Sequence, residues 1–231
     1  GMPAHAQVDV AQYVREETYS QIKISPDGLH YAATVPLEGQ EVLVIIRRAD
    51  NVPTAKISGR EDTALADFWW VSNTRVVGAM AEKFGRDDTP SLTGELVAVD
   101  IDGKRARKLA TPDGYGYVLM HDELPLDDDN VLVTRVTWGP EPQTALEKMN
   151  VYTGDRSPVS AAPLARARFL TDRAGNARFA SGRDKDGDIV LFYRDPGNQP
   201  WRKINDEGDT GIIESPLGFS DDGKKMDQAK L

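Results

Sequence analysis

Ile24-Ser25-Pro26-Asp27-Gly28-Leu29-His30-Tyr31-Ala32-Ala33 is the stretch from which the fold can be read. Proline at the second position of a type I turn, followed by glycine where a left-handed residue is required, closes a tight hairpin. The turn lies between two strand-like runs, 21–24 and 30–35. Comparable turn clusters recur at Ser72-Asn73-Thr74-Arg75, Asp127-Asp128-Asp129-Asn130, Thr171-Asp172-Arg173-Ala174-Gly175-Asn176 and Ser220-Asp221-Asp222-Gly223. With Ser25, Ser72, Asp127, Asp172 and Asp221 as markers, the steps are 47, 55, 45 and 49 residues.

A second series of turns is interleaved with the first. Arg48-Ala49-Asp50-Asn51 follows the run 42–46, Asp100-Ile101-Asp102-Gly103 follows 95–99, Thr153-Gly154-Asp155 follows 149–152, and Asp195-Pro196-Gly197-Asn198 follows 189–193. Each unit therefore reads strand, turn, strand, loop, strand, turn, strand. Four antiparallel strands in about 40–50 residues is the pattern of a β-propeller blade. Blades are expected at 20–58, 66–110, 115–160 and 166–205, with the start of a fifth at 211–226 and a C-terminal tail at 227–231. Their first strands fall near 21–24, 67–71, 118–121 and 167–170. The fold class is thus all-β, an incomplete ring of four blades plus part of a fifth. A β-sandwich is the alternative that the same strands allow. Residues 1–19 read as a tail with a short helix over 8–18, and Pro142 to Met149 as a second short helix inside blade three.

Composition narrows the function. The 231 residues carry 28 Lys+Arg against 37 Asp+Glu, a net charge of −9, which disfavours a nucleic-acid partner. No apolar run approaches the ~18 residues of a membrane span. Cysteine is absent, which removes thiolate metal sites, disulfides and cysteine nucleophiles. Ala4-His5-Ala6 has the small-x-small form of a signal-peptidase site and points to a periplasmic or secreted protein, although the basic and apolar regions that precede such a site are not in the sequence.

Few residues invite chemistry. The histidines are His5, His30 and His121, and the strand settings of the last two suit partnered or solvated side chains better than a catalytic base. Asp184-Lys185-Asp186-Gly187-Asp188 spaces three carboxylates as calcium loops do, but the glycine is misplaced for an EF-hand and no glutamate follows, so a hairpin turn is expected. Trp69 and Trp70 must point to opposite faces of a strand, one of them into the core. Arg47-Arg48, Arg166 and Arg168 could hold a peptide carboxylate, though exposed strand ends would also account for them. No catalytic residue, cofactor or metal ligand is assigned.

The run 24–33 resembles the first blade of the N-terminal propeller in prolyl oligopeptidase-family (S9) serine peptidases, in the branch of dipeptidyl aminopeptidases and acylaminoacyl peptidases. Phe68-Trp69-Trp70-Val71-Ser72-Asn73-Thr74-Arg75-Val76-Val77 resembles the second blade, as do Glu82-Lys83-Phe84-Gly85 and Thr93-Gly94-Glu95-Leu96-Val97-Ala98-Val99-Asp100-Ile101-Asp102-Gly103. The similarity covers most of 8–226; its short turn motif is shared with TolB-type propellers, whereas the second-blade match is more specific. The resemblance implies a propeller that caps an α/β-hydrolase domain and filters substrates to short peptides. The family's catalytic Ser, Asp and His belong to that hydrolase domain, and no G-x-S-x-G elbow occurs here. The expected function is therefore a non-catalytic propeller domain gating short peptides, with a free-standing TolB-like protein-interaction module as the alternative. A broken gene product without activity is a third possibility. Expected partners are a peptide or protein on the propeller face, with homo-oligomer formation through open sheet edges.

Overall fold

The computed structural model describes residues 20–37, 40–59, 63–82, 91–197, 199–219 and 226–230. They form four four-stranded antiparallel sheets, a two-stranded ribbon and a single helical turn. Sheet one comprises β1 (Gln21–Ile24), β2 (His30–Leu37), β3 (Gln40–Arg47) and β4 (Val52–Ile57). Sheet two comprises β5 (Thr63–Trp70), β6 (Arg75–Glu82), β7 (Ser91–Asp100) and β8 (Arg107–Ala110). Sheet three comprises β9 (Gly116–Glu123), β10 (Asn130–Thr137), β11 (Thr144–Asn150) and β12 (Arg156–Ala161). Sheet four comprises β13 (Arg168–Thr171), β14 (Ala177–Arg183), β15 (Ile189–Tyr193) and β16 (Arg202–Asp206). Strand order follows chain order in all four, so each is a meander, as in propeller blades, and none has a Greek-key crossover. The architecture is β-propeller-like.

The turns that define the repeat share one device. In the first, His30 N donates to Ser25 Oγ and Leu29 N to Asp27 Oδ1, both at 3.0 Å. Thr74 N donates to Ser72 Oγ, Asp129 N to Asp127 Oδ1, and both Ala174 N and Asn176 N to Asp172 Oδ1. A short polar side chain thus satisfies backbone N–H groups that the sheet cannot reach. Gly28 sits at φ +72°, the left-handed geometry that this turn demands. The fifth marker turn, at Ser220–Gly223, and the helix expected over 8–18 lie outside the described residues.

The chain divides into two compact units, 1–93 with 97–107, and 94–96 with 108–231. In the first, Leu43 and Ile45 of β3 pack with Phe68 and Trp70 of β5 and with Val76 and Met80 of β6. Val42, Val44 and Ile46 point the other way and are buried in a second cluster with Val35 and Leu37. Burial on both faces explains why 42–46 is an unbroken apolar run rather than an alternating one. Each such side chain contributes about 1.5–3 kcal/mol. Trp70 is core, as one of the two tryptophans had to be; its Nε1 donates to Lys23 O at 3.0 Å. Trp69 is half-buried, with Lys23 Nζ 5.3 Å from its ring centre. In the second unit, Leu132 of β10 and Leu146 of β11 pack with Phe169, Ala177 and Ala180 of sheet four.

Two expectations are corrected. Pro142 to Met149 is not helical: Thr144–Asn150 is β11, paired to both β10 and β12. The segment after Met226 is not a tail: β18 (Met226–Lys230) pairs with β17 (Glu214–Phe219). The helical turn, α1 (Glu207–Thr210), follows β16; Asp206 caps it by accepting from Gly208 N, and Gly211 ends it at φ +68°.

Candidate functional site

A groove of about 510 Å³ opens in the second unit, between sheets three and four. Its walls come from β9 and β10 on one side and from the entry to β13 on the other. Tyr117, Leu119, Val136 and Phe169 make it largely apolar. Thr144 Oγ1 donates to Ala167 O at 2.9 Å and ties the two sheets at its base.

A β-bulge shapes one end. Leu132 pairs with Asp122 and Val133 with Met120, so His121 is the extra residue on β9. A bulge re-aims side chains that strict alternation would send to opposite faces. Here Met120 and His121, neighbours in sequence, both line the groove. Burial pushes the His121 imidazole below its ordinary 6.5, with the Asp122 carboxylate pulling partly back. Its Nδ1 lies 3.3 Å from Thr134 Oγ1 and its Nε2 3.5 Å from Thr171 Oγ1. Thr171 Oγ1 in turn donates to Asp122 Oδ2 at 3.2 Å. A nucleophile–base–carboxylate relay needs the carboxylate on the far ring nitrogen. Here both ring nitrogens face threonine hydroxyls, and the Asp122 carboxylate meets Thr171 rather than the ring.

The other end is cationic. Arg166 and Arg168 are exposed and line the groove, with no carboxylate among the described residues that line it. Arg166 holds φ +55°, a conformation that costs a non-glycine residue about 1 kcal/mol. It is fixed there by two bonds to the β10–β11 loop: its N donates to Pro142 O at 2.8 Å and its Nη2 to Pro140 O at 2.6 Å. Beside the groove, Tyr117 packs against exposed Trp138 in a tilted arrangement with ring centres 4.9 Å apart.

The remaining sequence candidates are dispersed. Arg47 pairs with Asp50 at 2.7 Å, and Arg48 donates to Gly28 O at 2.5 Å. His30 lies on β2, opposite Arg47. Asp184 and Asp188 do form the expected hairpin turn, with Asp184 Oδ1 accepting from Asp186 N and Asp188 N. Asp206, distant in sequence, joins them, and the carboxylate oxygens of the three lie within 4.8 Å of one another. Partial desolvation and the charges of Asp184, Glu207, Asp206 and Asp186 raise the Asp188 carboxyl above its ordinary value. Asp206 is already engaged by Lys203 at 2.6 Å.

No family model and no curated protein matches the sequence. Solved structures do match the fold. An oligogalacturonate lyase in complex with manganese aligns with TM-score 0.55 and 10% identity, over 82% of this chain and 53% of that one. Prolyl oligopeptidase B from Galerina marginata aligns with TM-score 0.52 and 11% identity, over 96% of this chain and 36% of that one. TolB from Acinetobacter baumannii aligns with a TM-score of 0.37 and 12% identity, over 74% of this chain and 40% of that one, a similarity too low to carry weight. At such identities the likeness concerns the fold alone. The chain spans about half or less of the length of these proteins.

Proposed function

We propose that this chain is the non-catalytic propeller portion of a prolyl oligopeptidase-like serine peptidase, which admits short peptides to a hydrolase domain. The observation that carries this reading is the groove of the second unit: largely apolar, cationic at one end and built on paired strands. Such a surface suits binding and orienting a chain-like ligand. The neutral imidazole at its other end, held by threonine hydroxyls, suits positioning better than bond cleavage. Two further facts support the reading: the second-blade resemblance over 68–77, and the propeller-like sheets shared with a prolyl oligopeptidase.

The test begins with the reading frame that encodes this segment. It is expected to continue into an α/β-hydrolase domain with a G-x-S-x-G elbow. That whole enzyme should cleave short peptides and spare long unfolded proteins. A frame without a hydrolase, together with stable capture of a folded protein by this chain, would replace the proposal with a TolB-like interaction module.

A further inference from the structure

We infer that the groove between sheets three and four binds the free carboxylate of a short peptide whose terminal side chain is apolar or aromatic. The inference rests on the proposed peptide-binding role and names the part of the peptide that is recognised.

Charge is the first argument. The chain carries net −9, yet Arg166 and Arg168 line this groove without a carboxylate among the described lining residues. Against that background, two guanidinium groups two residues apart make a local anion site. Arg166 spends one Nη2 donor on Pro140 O, and a guanidinium has five N–H donors in a planar fork that matches a carboxylate.

Backbone strain is the second argument. The left-handed φ of Arg166 is imposed at the mouth of the groove by the two bonds to the 139–142 loop, where a simple strand entry would not need it. Strain kept in place by surrounding bonds is what fixes the direction of a side chain.

The apolar stretch is the third. Tyr117, Leu119 and Phe169 adjoin the arginines, and Trp138 extends the aromatic wall from Tyr117. A carboxylate carried on a polar sugar would leave this stretch unused. A carboxylate one bond from a Cα that bears an aromatic side chain would fill both parts together.

Isothermal titration of the intact chain tests the inference with three probes: N-acetyl-Ala-Ala-Phe as the free acid, the same peptide as its C-terminal amide, and digalacturonate. The free acid should bind about tenfold more tightly than the amide, because only the acid forms charge-assisted pairs with the arginines. Arg168→Gln should weaken the acid about tenfold, leave the amide unchanged, and leave the melting temperature unchanged, since the side chain is exposed. Arg48→Gln, at an exposed arginine in the turn between β3 and β4, should change neither affinity. Equal affinities for acid and amide, no binding of the acid at millimolar concentration, or no effect of Arg168→Gln would each overturn the assignment. Digalacturonate binding more tightly than the peptide acid would overturn it in favour of a polar uronate. These outcomes are independent of whether a hydrolase domain follows, so the inference and the proposed function can fail separately.

Discussion

At the residue scale, single positions carry consequences far beyond their size. Gly28 sits at φ +72°, and a β-carbon there would lie 3.4 Å from Arg48 Nη1, an ordinary contact, so space is not the obstacle. The obstacle is the backbone: the left-handed region costs a residue with a β-carbon roughly 1–2 kcal/mol, and a β-branched one fits it worst. Gly28→Val should lower the melting temperature, whereas Leu29→Val, at an exposed position one residue on, should lower it less. An unchanged melting temperature for Gly28→Val would contradict the turn. His121 makes a different prediction. Its folded pKa is depressed, so the unfolded chain takes up the proton first as pH falls below the ordinary 6.5. Stability should therefore decline as pH drops from 7 through that value and level off once the folded imidazole also protonates. Urea midpoints measured from pH 7 to pH 5 should fall less steeply in His121→Asn than in the native chain.

At the element scale, the repeat lies in hydrogen bonding as well as in sequence. Between the third and fourth strands the register slips at Ile45/Ile46, Leu146/Glu147 and Leu191/Phe192, two pairs from the connecting turn in sheets one and four and three pairs from it in sheet three. Pro53 and Pro158 stand beside two of these slips, as proline does at bulges and edges, but which pair slips is settled between strands. The β11 segment shows the same limit. Thr144–Asn150 contains good helix formers, yet pairing with β10 and β12 outweighs local propensity, and Glu147 is flanked by Arg135 at 2.7 Å and Arg156 at 3.3 Å across the strands. In sheet two, Arg75 is fully buried and donates to Asp100 Oδ1 at 2.5 Å, while Arg105 reaches the other carboxylate oxygen. Asp100→Ala takes the carboxylate from a buried guanidinium and should destabilise by about 3–5 kcal/mol, read as a shift in chemical-denaturation midpoint. In sheet four, Asp188 is crowded by like charges, and its raised pKa means that ionisation works against the fold above its ordinary 3.8. Asp188→Asn should raise the melting temperature at pH 7, with the gain vanishing near pH 3; a loss at pH 7 would show that the carboxylate is needed there as a ligand or partner.

At the scale of the whole molecule, the chain supplies four meander sheets and a groove with a cationic end. The purified chain is expected to leave peptide p-nitroanilides uncleaved, because the imidazole of the groove faces threonine hydroxyls and the sequence has no nucleophile elbow. Turnover that survives repurification and is blocked by a serine-directed phosphonate would overturn that expectation.

Sequence alone determined the hairpins and their order, since each turn is closed by residues within five positions of one another and each strand pairs with its neighbour in the chain. The Ser25, Ser72, Asp127 and Asp172 turns were legible for that reason. It also offered Arg166 and Arg168, but only as two of four arginines that could meet a carboxylate. Tertiary structure decided which pair shares a groove, because Tyr117, Val136 and Phe169 reach it from different strands. It decided that His121 turns inward, through a bulge visible only in the pairing of β9 with β10. It brought Asp206 to Asp184 and Asp188 across the sheet. Contacts of that kind depend on sheet register and on the packing of one sheet against the next, and no local pattern of residues encodes either.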